Sequence, residues 1–176
     1  DLEEIRQALE AVREVSDLPV VCQMTVQENG VTAYGTTPAT CMETLDEWGA
    51  DVVGFNCSVG PHGVLEAIEA GATPGRARLS AQPNAGLPRD VQGRKIYMAS
   101  PEYMAKYAQR LIRAGAKFVG GCCGTTPEHI RRIADAVRAL SPGRARVQVT
   151  AEPPKGAEAR PTTPLAERSA WGRKLA

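Results

Sequence analysis

Phe118-Val119-Gly120-Gly121-Cys122-Cys123-Gly124-Thr125-Thr126-Pro127-Glu128 joins a short apolar run, a glycine loop with two adjacent cysteines, and a helix start. Proline at the first helical position loses no backbone hydrogen bond, and a preceding Thr or Ser can cap the free amides. The stretch therefore reads strand, loop, helix. The same punctuation recurs upstream, where Pro38, Pro61 and Pro101 come after Thr37, Gly60 and Ser100. Three of the helices close on Gly-Ala, at Gly49-Ala50, Gly71-Ala72 and Gly115-Ala116. Glycine takes the left-handed cap conformation cheaply.

Working outward, apolar spacing predicts a helix at 2–15 with Ile5, Leu9 and Val12 on one face, then a strand through Val20-Val21-Cys22-Gln23-Met24. A helix at 38–48 precedes the run Val52-Val53-Gly54-Phe55, and a helix at 61–70 precedes Arg78-Leu79-Ser80-Ala81. After a longer polar loop comes a helix at 101–114 faced by Tyr103, Tyr107 and Leu111. The last helix, 127–140, is faced by Ile130, Ile133 and Val137. A leading helix with four strand–helix units predicts a parallel α/β architecture.

An open doubly wound sheet and a closed barrel both fit this pattern. The glycine fingerprint that cradles a dinucleotide phosphate is missing, because cysteines occupy its place. The candidate chemistry also falls on the ends of the second and fourth strands, and alternate strand ends converge on one mouth in a barrel. The expectation is the C-terminal half of a (β/α)8 TIM barrel over residues 1–140. Residues 141–164 hold Pro142, Pro153, Pro154, Pro161 and Pro164 with Gly, Ala and Thr, a linker composition. Residues 165–176 turn partly helical again and read as the start of a second domain. The chain opens mid-pattern at Asp1-Leu2-Glu3 without an initiator Met, as a cut fragment would.

Composition narrows the function classes. The 43% hydrophobic share is ample for a core, and no apolar run approaches the roughly 18 residues of a membrane span. Net charge is +1, with 7 of the 21 basic and 3 of the 20 acidic residues lying after residue 140. A mildly acidic body with a basic tail carries no nucleic-acid footprint. Five cysteines are too odd a number and too scattered for a disulfide scaffold, and there is no charged-then-apolar leader. A reducing cytoplasm is the expected compartment.

Cys57 ends one expected strand, and Cys122 with Cys123 ends another. In one parallel barrel all three sulfurs face the same mouth. Three thiolates on Zn²⁺ leave one position open, the pattern of catalytic rather than structural zinc. The competing reading is core or incidental thiols. Cys22 within a strand and Cys41 within a helix read as buried apolar residues, and His62 and His129 as packing or surface residues. Trp48, Tyr103 and Tyr107 read as core. Asn84, after Pro83 at the third strand's end, is placed to orient a substrate. Asn56 beside Cys57 is placed to brace the ligand loop, and the amides near Gly121 and Gly124 to hold a carboxylate.

Gly120-Gly121-Cys122-Cys123-Gly124-Thr125-Thr126-Pro127-Glu128-His129-Ile130 resembles the signature of the homocysteine S-methyltransferase family. Gly54-Phe55-Asn56-Cys57-Ser58 and Gln82-Pro83-Asn84-Ala85-Gly86 are similar to two further motifs of that family, in the same order and spacing. The likeness covers roughly residues 1–140. It implies a (β/α)8 barrel in which Cys57, Cys122 and Cys123 bind zinc and a methyl group passes to the thiol of homocysteine, giving methionine. It also implies that the acidic residues holding the homocysteine amino group lie upstream of Asp1, so the fragment is not expected to fold or turn over alone. The Pro-rich segment and the Arg/Leu-bearing stretch after it resemble the bifunctional members, in which a methylenetetrahydrofolate reductase with FAD and folate comes next. The alternative is a zinc or thiol-redox module without transfer activity.

Overall fold

The computed structural model describes residues 1–71 and 75–140. The expected linker, 141–164, and second-domain start, 165–176, lie outside the described residues. Eleven elements occur in order: α1 (Leu2–Val15), β1 (Val21–Met24), α2 (Pro38–Glu47), β2 (Val52–Asn56), α3 (Pro61–Gly71), β3 (Arg78–Gln82), β4 (Arg89–Val91), β5 (Arg94–Ile96), α4 (Pro101–Arg113), β6 (Ala116–Val119) and α5 (Pro127–Ala139). The expected leading helix and four strand–helix units are all present. The segment read as a polar loop contains in addition the antiparallel β4–β5 hairpin. Its turn, Gln92-Gly93, has φ of 52° and 77°, the doubly left-handed geometry that favours tight hairpins.

Four parallel strands form one sheet in the order β1-β2-β3-β6. Each new strand is added beside the last, with no reversal of order, so a doubly wound switch point is absent among the described residues. The helices pack in the same sequence, α2 on α3, α3 on α4 and α4 on α5. Between helices and sheet lies the core, built from Cys22, Met24, Val53, Phe55 and Ala81 of the strands and Cys41, Leu45, Val64, Leu65, Ile68 and Leu111 of the helices. Phe55 is 0% exposed.

Strand alternation places the remaining side chains on the opposite face. Gln23, Gly54, Ser80 and Phe118 stand in one register row there. Gly54 is the gap in that row: a Cβ would sit 1.9 Å from the Ser80 carbonyl oxygen. Across the gap, the Gln23 amide donates to Ser80 Oγ at 3.0 Å. Phe118 is 48% exposed on this face.

The far ends of the strands are tied by charge. Arg13 of α1 donates to the Leu18 and Gly49 carbonyls and pairs with Asp51 at 2.6 Å. Asp51 also accepts from the Val20 amide, and this bond, followed by Arg13, holds its carboxyl below the usual range. Asp46 accepts from the Ala77 amide at 2.6 Å and so sets the entry to β3.

Two expected faces differ in detail. On α4 the buried residues are Met104, Ala105, Ala108 and Leu111. Tyr103 is 43% exposed rather than core, and its ring tilts against Tyr107 at 4.8 Å. On α5 Ile133 is buried, whereas Ile130 is exposed and His129 takes the place inside. The periodicity is right in both helices, and the stripe is rotated by about one residue toward the neighbouring helix. Trp48 and Tyr107 pack against the core as expected.

Candidate metal centre

Gln82-Pro83-Asn84 leaves β3 between the two cysteine loops and ties them together. The Cys57 amide donates to the Gln82 carbonyl at 3.1 Å, and the Cys122 amide to the Pro83 carbonyl at 2.8 Å. Asn84 is 2% exposed. Its Oδ1 accepts from the Cys123 amide at 3.1 Å, and its backbone amide donates to the Val59 carbonyl just after Cys57. One buried residue thus spans both ligand loops. Such a group, satisfied on both sides, holds geometry better than a surface contact does.

Cys57 and Ser58 are consecutive non-glycine residues with φ of 60° and 55°. That left-handed pair is a strained way to end a strand, and strain of this kind is held in place only by surrounding bonds. Here the Gln82 carbonyl and the short Val59-to-Cys57 turn bond, 2.6 Å, supply them. The turn swings the Cys57 side chain over β3. Next-but-one strands lie about 10 Å apart in a flat sheet. Yet Cys57 Sγ and Cys123 Sγ are 3.6 Å apart, and Cys122 Sγ and Cys123 Sγ 3.9 Å. All three sulfurs lie within 4.8 Å of one another, half-buried to exposed.

A tetrahedral ion with metal–sulfur bonds of about 2.3 Å requires its sulfurs to be about 3.8 Å apart. The separations of 3.6 and 3.9 Å lie on either side of that figure, and the remaining pair is within 4.8 Å. Three thiolates are also the donor set that soft or borderline ions prefer. These residues fit a zinc ion with one coordination position left to solvent or substrate. In the free thiols, burial works to raise Cys57, but hydrogen bonds from the Ser58 amide, Cys122, Cys123 and Asn84 outweigh it, and its pKa is lowered. Burial, then the bond to Cys57, pushes Cys122 up to about 11. Cys57 therefore ionises before Cys122.

The other sequence candidates divide clearly. Asn56 ends β2 on the open face beside Cys57. Gly121 lies in the loop before Cys122, and a Cβ there would meet Thr125 Cγ2 at 2.4 Å. The Thr125 hydroxyl in turn donates to the Cys122 carbonyl at 2.7 Å. Cys22 and Cys41 are buried in the core, as expected. His129 is no ligand: its Nδ1 accepts from the Thr126 amide at 3.1 Å, which leaves Nε2–H to donate to the Ala99 carbonyl at 2.9 Å. His62 faces solvent beside Glu66.

Tyr97 was not foreseen. It comes just after the β4–β5 hairpin, its ring lies against Gly124 directly after Cys123, and the neighbouring Cys123, with burial, holds the phenol above its ordinary value. A tyrosine in a charged, irregular segment, 26 residues before its partner, carries no periodic signal. A cleft of about 800 Å³ opens beside the centre, lined by Val59, Gly60, His62, Leu87, Met98 and Tyr103 among others. None of the three cysteines lines it, and the cluster of donors, rather than this cleft, is where the chemistry resides.

Known proteins resemble this chain in sequence and fold. The homocysteine S-methyltransferase family profile matches residues 1–137. A methionine synthase of Mycobacterium leprae is 36% identical over 142 residues, covering 77% of this chain and 12% of that protein. An S-methylmethionine–homocysteine S-methyltransferase of Pongo abelii is 34% identical over 155 residues, covering 76% and 41%. Among solved structures, the homocysteine methyltransferase MmuM of Escherichia coli in its metallated form superposes with a TM-score of 0.59 at 21% identity. That match covers 77% of this chain and 41% of MmuM, and it supports the fold alone. The chain spans less than half the length of each of these relatives.

Proposed function

Because the chain belongs to the homocysteine S-methyltransferase family, we propose that it supplies the thiol-activating half of a zinc-dependent enzyme that methylates homocysteine to methionine. The observation that carries the reading is the meeting of three sulfurs from two non-adjacent strand ends at the spacing a tetrahedral ion needs. Zinc, when bound, supplies a cation that favours the thiolate form of a substrate thiol without itself entering redox chemistry. Cys57, Cys122 and Cys123 hold the ion and leave one side free. Their summed negative charge makes the centre a poor activator of water and suits a sulfur nucleophile. Asn84 keeps the two loops in register, so the approach direction of the incoming thiol is set before it arrives.

Asn56 stands beside Cys57 on the open face, a position suited to a substrate contact. The backbone around Gly121 and Gly124 precedes α5, where a carboxylate is favoured by free amides. A closed (β/α)8 barrel completes the reading. In its support, strand order is strictly sequential, and a parallel sheet is ordinarily covered on both faces whereas Phe118 stands half open here. Completion by an upstream half would also bring the remaining amino-acid contacts and the methyl donor's approach. The composition of residues 141–176 supports a following reductase domain carrying FAD and folate, and three free thiols suit a cytoplasmic setting.

The test is metal analysis and methyl transfer in the full-length protein. One zinc per chain, lost together with activity in Cys57→Ala, Cys122→Ala and Cys123→Ala, is expected. Zinc and turnover retained in all three variants would refute the assignment. A redox module without transfer would instead show three thiols titrating equally fast with and without a chelator.

A further inference from the structure

We propose that the β4–β5 hairpin of one copy of this chain docks into the cleft beside β2 and α3 of a second copy, joining the two about a two-fold axis. In the hairpin, Arg89 stands opposite Ile96 and Val91 opposite Arg94. Strand alternation puts these four side chains on one face, where apolar and cationic groups alternate. Asp90 and Lys95 occupy the other face and pair with each other at 2.9 Å. Among the described residues, nothing covers the first face: Val91 is 46% and Ile96 41% exposed, and all six strand residues are open. A two-stranded hairpin left by itself is marginally stable in water at best. Its uncovered face calls for a partner that is apolar in the middle and acidic at the edge.

The cleft of about 800 Å³ has that chemistry. Val59, Gly60 and Ala67 line it as buried residues, and Leu87 and Met98 as exposed ones. Its charged lining is two carboxylates, Glu28 and Glu66, against one guanidinium, Arg89, with His62 3.5 Å from Glu66. Of the hairpin strands, Arg89 alone lines this cleft; Val91, Arg94 and Ile96 lie outside the groove of their own chain. The projecting surface and the receiving surface are therefore neighbours in one patch. A two-fold axis through such a patch makes every contact twice, the self-complementary arrangement that closes as a dimer. Arg94 of one copy then meets Glu66 of the other, and Val91 and Ile96 cover Val59 and Ala67. Because the Val59 amide donates to the Cys57 carbonyl, the docked hairpin also backs the strained turn at Cys57 and Ser58. The docking does not depend on a bound metal.

The experiment is sedimentation equilibrium of the full-length protein, which is expected to be a dimer. Ile96→Asp forces a carboxylate onto the apolar floor twice per dimer and raises the dissociation constant by about 100-fold or more. Arg94→Glu and Glu66→Arg each set like charges together and each weaken the dimer by at least about tenfold. The double variant, with the two charges exchanged, returns close to the wild-type constant. Circular dichroism unchanged in both single variants shows that these exposed positions do not disturb folding, so the exchange decides even where Ile96→Asp misfolds. A full-length protein that stays monomeric overturns the proposal, and so does a dimer indifferent to both single substitutions. A double variant as weak as the singles overturns the pairing of hairpin with cleft. A monomer whose hairpin resists proteolysis would show that another part of the full-length chain covers it, which overturns a second copy as the occupant.

Discussion

Five cysteines occupy two regions of the molecule and do opposite work. Cys22, on the helix-facing side of β1, and Cys41, on α2, sit among Leu45, Phe55 and their neighbours in the core. Burial raises both thiols. They behave as small hydrophobes. At the strand ends the same residue type is half-buried to exposed, clustered within 4.8 Å, and held by a backbone bond from Cys123 to the Asn84 side chain. The contrast shows that surroundings, rather than the thiol, decide between packing and chemistry. What the second region has and the first lacks is a set of loop bonds to Gln82, Pro83 and Asn84 that brings sulfurs from separate strand ends together.

The comparison breaks most completely if the two sets can be exchanged. In the full-length protein, Cys57→Ala abolishes metal binding and methyl transfer, whereas Cys41→Ala retains one zinc per chain; metal analysis on both variants checks this. A Cys41→Ala protein without zinc would erase the distinction. Next in size is Asn84→Ala, which leaves the buried Cys123 amide without its partner and loosens the tie between the two cysteine loops. Zinc affinity measured by competition with a chelator falls by about 10- to 100-fold.

A pH series sharpens the contrast further. Below its pKa of about 11, Cys122 keeps its proton in the free site, and the ion must displace it. Zinc affinity therefore rises with pH, about tenfold per unit for each proton released, and proton release on loading is measurable in a weakly buffered titration. Affinity that is flat with pH would mean the thiols are already ionised. The core makes the complementary prediction in stability alone. Phe55→Ala destabilises by about 3–5 kcal/mol in denaturant unfolding. Cys41→Ala, a much smaller deletion, costs only about 1 kcal/mol, the typical single-substitution effect.

Most of the fold could be read from the chain because its signals are local. Pro38, Pro61, Pro101 and Pro127 stand at helix starts, and Gly49 and Gly115 take the left-handed caps expected of them. The cysteine cluster was legible because three motifs end expected strands. Asn84 was picked out by position, but its part as a shared brace depends on two loops that meet only in space. Tyr97 left no trace in the sequence, since the hairpin that presents it has short, exposed and charged strands. The burial of His129 was equally hidden: a capping contact and a long-range bond to Ala99 place it inside, and neither obeys a helical period.

The backbone at residues 57 and 58 has an implication for anyone improving this protein. Both adopt a conformation that glycine occupies freely and other residues hold at a penalty of about 1–3 kcal/mol each. A library selected only for heat resistance would thus favour glycine at position 57, and its hardiest survivors would be inert. Ser58→Gly offers the same relief while sparing the sulfur, and is the safer starting point.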